Sequence, residues 1–285
     1  MAAITAAMVK DLRERTGLGM MDCKKALVES EGDAELAIEN LRKSSGMKAA
    51  KKAGRTAADG QIGLKVEGNT GVIVEVNCET DFAAKDSNFL DFVAAVTDEA
   101  FASKAADAQQ LLDSGFEKIR EELVQKIGEN VSIRRIESVE GEITPYLHTT
   151  GKIGVLVVLE GGNEELGKDI AMHIAAADPQ PLYINTADVP EEVIAVEKDI
   201  YVAQAAESGK PAEIVEKMVG GRVRKFLSEI SLVEQPFVKD PDTKIGGLLK
   251  KSGASVVKFI RFQVGEGIEV EEVDFAAEVA SQLGQ

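Results

Sequence analysis

The spacing of apolar residues predicts that the chain begins with helices. Over residues 1–46, apolar side chains recur at helical spacing in three short runs. Capping residues such as Thr5 and Asp33 precede these runs, and glycines such as Gly17 follow them. We therefore predict a bundle of three helices, the last ending near Gly46. Because three short helices enclose little volume, the core of this bundle should be thin.

The junction between the first two helices concentrates apolar side chains. Gly17 and Gly19 alternate there with Leu18, Met20 and Met21. The apolar side chains could all fill the core of the bundle. Alternatively, at least one Met could stay exposed as an adaptable contact surface, since methionine packs against varied partners. The local pattern leaves both interpretations open.

Residues 47–60 interrupt the apolar pattern. Lys48, Lys51, Lys52 and Arg55 lie there among Ala and Gly, without an apolar stripe. We interpret this stretch as a basic linker, which is a solvated tether whether or not part of it is helical. Its charge could also contact nucleic acid or an acidic partner.

Beyond the linker the apolar period becomes two, which is typical of β-strands. A hairpin is predicted from strands at 62–66 and 72–76 around Gly68 and Asn69. Helices at 89–102 and 116–127 and a strand at 130–136 complete a first unit, which we place at residues 61–141.

A second unit repeats this order. Residues 152–159, 170–175 and 257–262 resemble the second strand, the first helix and the last strand of the first unit. We place this unit at residues 142–187 and 231–267. The predicted fold class is therefore α+β, with two related core subdomains and antiparallel sheets.

An insertion separates the two parts of the second unit. Residues 188–230 contain two helical segments, each preceded by a proline and joined by a short polar loop at 208–210. The insertion is predicted to be a helical hairpin. Its apolar residues could pack only within the hairpin, or they could mediate self-association.

The end of the central strand of the first unit is the most informative feature. The apolar run at 71–78 ends directly before Thr80, Asp81 and Phe82, and Asp86 then caps the following helix. Phe82 therefore lies on a turn beside a carboxylate, and turns are usually at the surface. The ring either folds back into the core of the protein or enters a partner.

Charge and composition narrow the functional class. The 285 residues include 33 Lys and Arg against 49 Asp and Glu, a net charge of −16. This balance argues against direct binding of nucleic acid, which needs clustered basic residues. There is no signal-peptide pattern and no apolar run of membrane-spanning length, so we expect a cytoplasmic protein without membrane contact. Cys23 and Cys78 lie in no paired motif, which fits a reducing compartment.

The sequence offers little material for catalysis. His148 and His173 are the only histidines, and neither stands at a metal-ligand spacing from Cys or a carboxylate. No phosphate-binding or dinucleotide motif occurs, so we expect no metal and no cofactor. His173 should be packed in an apolar helix face and His148 accessible. Cys78 should be buried rather than a nucleophile.

Four segments together resemble the bacterial translation elongation factor Ts family. They are residues 9–27, residues 75–82, residues 146–148 with 153–157, and residues 274–278. Ala83 departs from the family pattern, which often has Val there. That change removes a little apolar contact and leaves Asp81 and Phe82 in place.

The resemblance implies a guanine-nucleotide exchange factor for elongation factor Tu that performs no covalent chemistry. It also implies a ubiquitin-associated-like (UBA-like) N-terminal bundle, a dimerising helical hairpin and a helical C-terminal module at 268–285. By position, the residues at the magnesium site of elongation factor Tu would be Thr80, Asp81, Phe82 and Ala83. Further contacts would come from Arg13, Met20, Met21, Ile127, Gly128 and His148.

Two other classes of function remain to be separated from this one. An adaptor built on the N-terminal bundle would bind a partner without changing the release of any nucleotide. A thiol enzyme would lose its activity when Cys78 is replaced by Ser, whereas an exchange factor would keep it.

Overall fold

The structure is a computed structural model that describes residues 4–206 and 211–270. It opens with the predicted three-helix bundle of α1 (Ala6–Thr16), α2 (Met20–Glu29) and α3 (Ala34–Lys52). Thr5 and Asp33 cap α1 and α3 by accepting hydrogen bonds from the backbone. The small core of the bundle consists of Val9, Leu12, Leu18, Cys23, Ala26, Leu27, Ala37 and Leu41.

The prediction that the third helix ends near Gly46 is wrong. Helix α3 continues to Lys52 and packs against α6 (Glu117–Ile127). Ser45 and Ala49, one turn apart, are buried, and Gly46 lies against Glu121 of α6, so tertiary contact carries the helix through its glycine. Of the stretch interpreted as a linker, only residues 53–58 lie outside helices and strands.

The first sheet has the strand order β1 (Asp59–Glu67), β2 (Thr70–Cys78) and β3 (Val131–Glu140). A two-residue turn joins β1 to β2, which confirms the predicted hairpin. Strand β2 is central, and its residues from Gly71 to Cys78 are all buried. The helices between β2 and β3 are α4 (Ser87–Ser103), α5 (Ala108–Leu111), which continues as a π-helical turn at Leu112–Phe116, and α6.

The second sheet repeats this plan with β4 (Glu142–Leu147), β5 (Ile153–Glu160) and β8 (Ser255–Gln263). Strands β4 and β5 pair antiparallel, and β5 is central. In both sheets a hairpin is followed by a helix, and a later strand pairs with the second strand of the hairpin. This shared order confirms an α+β fold with two related core units.

The remaining elements belong to the second repeat and its insertion. They are α7 (Glu164–Ala176), α8 (Glu191–Ala206), α9 (Ala212–Ile230), β6 (Pro236–Phe237), β7 (Asp240–Lys244) and α10 (Ile245–Lys251). Helices α8 and α9 contact each other as a hairpin. The loop predicted at 208–210 lies outside the described residues, as do the motif at 274–278 and all but residues 268–270 of the predicted C-terminal module.

Contacts divide the described chain into two compact units. The first contains residues 4–63, 74–136 and 263–270, and the second contains residues 64–73, 137–206 and 211–262. The bundle and the Thr80–Phe82 turn are in the first unit, whereas His148 and the helical hairpin are in the second. None of the helices in the described ranges is long and apolar enough to cross a membrane.

Candidate functional site

The turn after β2 is built on Thr80. The Thr80 carbonyl oxygen accepts a hydrogen bond from Ala84 N at 3.1 Å, and its Oγ1 accepts one from Ala83 N at 3.3 Å. Thr80 thus acts as an N-cap for one short helical turn, which includes the 3₁₀ segment Ala83–Lys85. Asp86 then caps α4 by accepting from Asn88 N at 2.8 Å.

Phe82 projects from this turn into solvent. Its side chain is 82% exposed, and no other large apolar side chain in residues 4–206 or 211–270 is more exposed. Its backbone is unstrained, with φ −68° and ψ −47°. Ala83 and Ala84 occupy the buried positions of the turn instead. The ring therefore does not fold back into the core, and Ala83 supports the turn from beneath.

Asp81 places a negative charge beside this ring. Its carboxylate is about half exposed, and Oδ2 lies 2.7 Å from Nζ of Lys85 one helical turn later. The hydrogen bond with Asp81 raises the pKa of Lys85. The turn therefore carries an apolar ring and an accessible carboxylate side by side.

Glu129 holds the start of the turn from across the fold. Its Oε2 accepts hydrogen bonds from Glu79 N at 3.1 Å and from Thr80 N at 3.0 Å. Its Oε1 accepts one from Thr80 Oγ1 at 2.7 Å. One carboxylate thus satisfies three donors of two consecutive residues. Sequence reasoning missed this residue, because no local pattern pairs a carboxylate with a turn 49 residues earlier.

Glu79 in turn binds Asn130, the residue that follows Glu129. Its Oε1 accepts a hydrogen bond from Asn130 N at 2.6 Å and one from Nη1 of Arg55 at 3.4 Å. The side-chain Nδ2 of Asn130 in turn donates to the Arg55 carbonyl oxygen at 2.8 Å. We call this reciprocal arrangement of Glu79, Thr80, Glu129 and Asn130 the Glu79–Glu129 clasp. Arg55, interpreted from sequence as part of a tether, supplies positive charge beside Glu79.

Ile127 and Gly128 lie immediately before the clasp. Helix α6 ends at Ile127 and is capped by Gly128, whose φ of 87° is in the left-handed region that favours glycine. Its carbonyl oxygen accepts a hydrogen bond from Nζ of Lys52. Burial is the largest effect on Lys52 and, with the nearby Arg55, lowers its pKa despite the carboxylates around it. The fold therefore brings Ile127 and Gly128 close to Thr80, as neighbours of Glu129.

The methionines of the bundle loop are exposed rather than packed in its core. Leu18 is buried, whereas Met20 and Met21 are 53% and 74% exposed. Arg13 is also exposed, and its carbonyl oxygen accepts a hydrogen bond from Gly17 N at 2.7 Å. Leu18 therefore belongs to the core, and both methionines are available to a partner.

This loop contacts the same end of α6 as the turn. A β-carbon built at Gly17 would lie 2.5 Å from Cε of Lys126. The ammonium group of Lys126 donates to Oδ1 of Asn88 at 2.5 Å, at the start of α4. Direct contacts therefore connect the bundle loop, α6 and the helix that follows the Phe82 turn.

The two histidines occupy contrasting sites in the second unit. His148 is exposed, and its Nδ1 lies 3.1 Å from the Tyr146 hydroxyl. His173 is buried, and its Nδ1 accepts from Val238 N at 3.3 Å, so Nε2 donates to Gln235 Oε1 at 2.9 Å. Burial lowers the pKa of His173. These sites confirm the predicted accessible and packed histidines.

Cys78 contributes to the structure of the turn. Cys78 is buried, and its Sγ donates to the Thr80 carbonyl oxygen at 3.2 Å. Within the described part of the chain, no group of three or more His, Cys, Asp or Glu residues could hold a metal ion. Phe82 and Asp81 form an exposed surface on a hydrogen-bonded turn, and such a surface is suited to contact with another macromolecule.

Comparison with known proteins points to one family. The profile of the family described as Elongation factor TS matches residues 79–266. The chain is 63% identical over 286 residues to Elongation factor Ts of Hahella chejuensis, covering 99% of each chain. It is 59% identical over 287 residues to that of Marinobacter nauticus, covering 100% of this chain and 99% of the relative. It is 58% identical over 287 residues to that of Teredinibacter turnerae, covering 99% of this chain and 97% of the relative.

Proposed function

The chain belongs to the elongation factor Ts family and is a translation elongation factor, and we propose that it promotes the release of GDP from elongation factor Tu. In this role it acts in the cytoplasm as an exchange factor and forms no covalent bond with its partner. The sequence motifs and the exposed turn at Phe82 support the proposal together.

Nucleotide exchange needs only a difference in binding. A GTPase holds GDP through backbone amides around the phosphates and through a bridging Mg²⁺ ion. A protein that binds the empty GTPase more tightly than the GDP-bound one must weaken the binding of GDP by the same ratio. No catalytic side chain is required for this effect.

The observation that carries the proposal is the exposure of Phe82 on a hydrogen-bonded turn. Full burial of such a side chain in a partner stabilises the complex by about 1.5–3 kcal/mol. A ring held by Thr80 and the clasp can also displace groups in the partner, since the turn beneath it is fixed. We propose that Phe82 separates elements that support the nucleotide site of elongation factor Tu.

Asp81 has a complementary role in this proposal. Mg²⁺ is bound through oxygen ligands in a demanding octahedral geometry. A carboxylate brought close to that site disturbs the placement of the ion and its water ligands. Asp81 and Phe82 thus act together, one by charge and the other by volume.

The other predicted contacts extend the interface. We propose that Arg13, Met20 and Met21 contact the nucleotide-binding domain of elongation factor Tu, with Ile127 and Gly128 beside the Thr80 turn. His148 contributes from the second unit. The exposure of the two methionines and of His148 supports this assignment. The net charge of −16 supports a protein partner rather than direct binding of nucleic acid.

Release of fluorescent GDP from purified elongation factor Tu tests the proposal. The variants Phe82→Ala and Asp81→Asn should each slow factor-stimulated release at least about tenfold, a loss of 1.4 kcal/mol in transition-state stabilisation. The matched control is Leu182→Ala, which removes another exposed apolar side chain in the second unit. Release at the wild-type rate by both test variants, at equal complex formation, would remove the turn from the mechanism.

The same assay separates the competing functions. An adaptor would form a complex with elongation factor Tu and leave the rate of GDP release unchanged. A thiol enzyme would lose its activity in Cys78→Ser. We expect that variant to retain exchange, because Cys78 is buried and donates its S–H to the Thr80 carbonyl oxygen, a bond that a hydroxyl can also make.

A further inference from the structure

We infer that Glu129 is the positioning residue of this site: its carboxylate holds Thr80, and thereby Asp81 and Phe82, in the geometry that acts on the partner. The inference rests on the proposed exchange function. It assigns Glu129 a part in the rate of nucleotide release, although its carboxylate is taken up by hydrogen bonds within the protein.

The need for such a residue follows from where β2 ends. At Cys78 the strand stops, and Glu79 and Thr80 bend away from the sheet. Their backbone N–H groups then lack a strand partner and, without another acceptor, would be left to water. Glu129 Oε2 accepts from both, at 3.1 and 3.0 Å. Hydrogen bonds to an ionised carboxylate are stronger than those between neutral groups, so this contact fixes the exit of the chain from the sheet.

The Thr80 hydroxyl connects Glu129 to the backbone of the turn. It donates to Glu129 Oε1 at 2.7 Å and accepts from Ala83 N at 3.3 Å. Its proton is committed to the carboxylate, so its lone pairs are directed at the backbone of the turn. Glu129, Thr80 and Ala83 form a continuous series of hydrogen bonds that spans the backbone of Phe82.

The clasp is suited to holding Glu129 in place. Arg55 contacts Glu79, and Lys52 binds the carbonyl oxygen of Gly128, the residue before Glu129. These cations offset the repulsion between the two carboxylates. The left-handed backbone at Gly128 ends α6, so that Glu129 follows directly on a fixed helix end.

A loose turn and a missing side chain have different consequences. If Glu129 is neutralised, Phe82 is still present and can still be buried by the partner, so affinity is largely retained. A ring on a mobile turn yields instead of displacing groups in the partner, so the maximal rate falls. Glu129 should therefore affect the rate at saturating factor more than the concentration needed for half-maximal effect.

The test uses the full-length protein with the substitutions Glu129→Gln, Glu129→Asp and Thr80→Val, and Glu160→Gln as control. Gln keeps one acceptor oxygen and presents an NH₂ group to the donors of residues 79 and 80. Asp keeps both oxygens on a shorter side chain. Glu160→Gln removes the same charge from an exposed position at the end of β5.

For Glu129→Gln, we expect the maximal rate of GDP release to fall about tenfold, the equivalent of one lost charged hydrogen bond. The half-saturating concentration should change by less than about threefold. Glu129→Asp should retain part of the rate that Glu129→Gln loses. The control Glu160→Gln should have the wild-type maximal rate. Since Glu129 acts through Thr80, the double variant Thr80→Val with Glu129→Gln should be no slower than the slower single variant. A wild-type maximal rate for Glu129→Gln, or fully additive effects, would overturn the inference.

Amide hydrogen exchange of the free protein provides a readout that needs no partner. In Glu129→Gln, the amides of Glu79 and Thr80 should exchange faster, while buried amides of β2 such as Ile73 keep their protection. Unchanged exchange at Thr80 would also refute the inference. If wild-type protein fails to accelerate GDP release, the exchange function is lost instead, and the amide experiment still decides whether Glu129 holds the turn.

Discussion

Asp81 is paired with Lys85 in the free protein, where Oδ2 lies 2.7 Å from Nζ. The carboxylate that we propose approaches the magnesium site is therefore partly neutralised before the partner arrives. The pair is exposed, and exposed ion pairs contribute little to stability. Little free energy is therefore needed to break the Asp81–Lys85 pair when the partner binds.

Replacement of Lys85 by Met should release Asp81 from this pair. Because loss of the Lys85 ammonium strengthens the negative potential at Asp81, we expect GDP release to be accelerated by up to about fivefold at low salt, and less at high salt. Stopped-flow release at two ionic strengths measures this. A slower release than wild type in Lys85→Met would show that the lysine itself contributes to the interface.

Gly128 should tolerate no side chain without a loss of stability. Its φ of 87° costs an L-residue about 1–2 kcal/mol, so Gly128→Ala should lower the free energy of unfolding by that amount. The control is Gly221→Ala in the middle of α9, where an added β-carbon meets nothing within 4 Å. Alanine there should raise stability by about 0.5–1 kcal/mol.

Urea denaturation followed by circular dichroism compares the two glycine variants. The changes in the free energy of unfolding need not be equal in size, but Gly128→Ala must lower it and Gly221→Ala must raise it. A stabilising Gly128→Ala would mean that the end of α6 can adopt another backbone conformation.

Glu75 is an ionised residue inside the first sheet. Its carboxylate is fully buried and receives hydrogen bonds from Arg134 at 3.0 Å, Arg135 at 2.5 Å and Gly265 N at 2.8 Å. Burial, the largest single effect, raises the pKa of Glu75. The bonds from Gly265, Arg134, Asn77 and Arg135 together outweigh it and hold the pKa below the ordinary value of 4.5.

The lowered pKa of Glu75 makes its contribution to stability depend on pH. The unfolded protein binds this proton more readily than the folded one, so the stabilisation is complete above about pH 5 and is lost as the pH falls through the lowered pKa. Glu75→Gln should cost about 1.5–3 kcal/mol at pH 7. It should also flatten the loss of stability between pH 5 and lower values relative to wild type. Urea midpoints at several pH values test this, and parallel pH profiles for the two proteins would contradict it.

The α8–α9 hairpin is the predicted surface of self-association. Val196, Ile200, Val202 and Ile214 remain exposed on it, and we propose that a second copy of the chain covers them. Val196→Glu should weaken the association by placing a charge in the apolar contact. Sedimentation velocity over a range of concentrations measures this, with Leu182→Glu as the exposed control. Identical mass distributions for wild type and Val196→Glu would exclude this surface.

Much of the secondary structure follows from local signals. Capping by Thr5, Asp33 and Asp86, the glycine at residue 17 and the change of apolar period near residue 60 were enough to predict the bundle, the first β-hairpin and the α+β class. The position of Phe82 on a surface turn was also within reach, since an apolar strand ends directly before Thr80, but the local pattern did not decide whether its ring is exposed. These features depend on residues that are neighbours in the chain.

The end of α3 could not be predicted in this way. Gly46 is an ordinary stop signal by propensity, but Ser45 and Ala49 are buried in a region where α3 packs on α6, and this contact is worth more than the cost of one glycine. The local pattern also left the methionine loop ambiguous. Only the packed bundle showed that Leu18 alone takes the core position.

The sequence by itself determined the helices and strands, the two related units and the position of Phe82 beside Asp81, because periodicity, capping and turn chemistry act over a few residues. The tertiary structure alone decided what holds that turn, namely Glu129 from the end of α6, with Arg55 and Lys52 supplying charge around it. Such pairing depends on backbone groups brought together across some 50 residues, and a carboxylate that binds a distant N–H leaves no mark in its own local sequence.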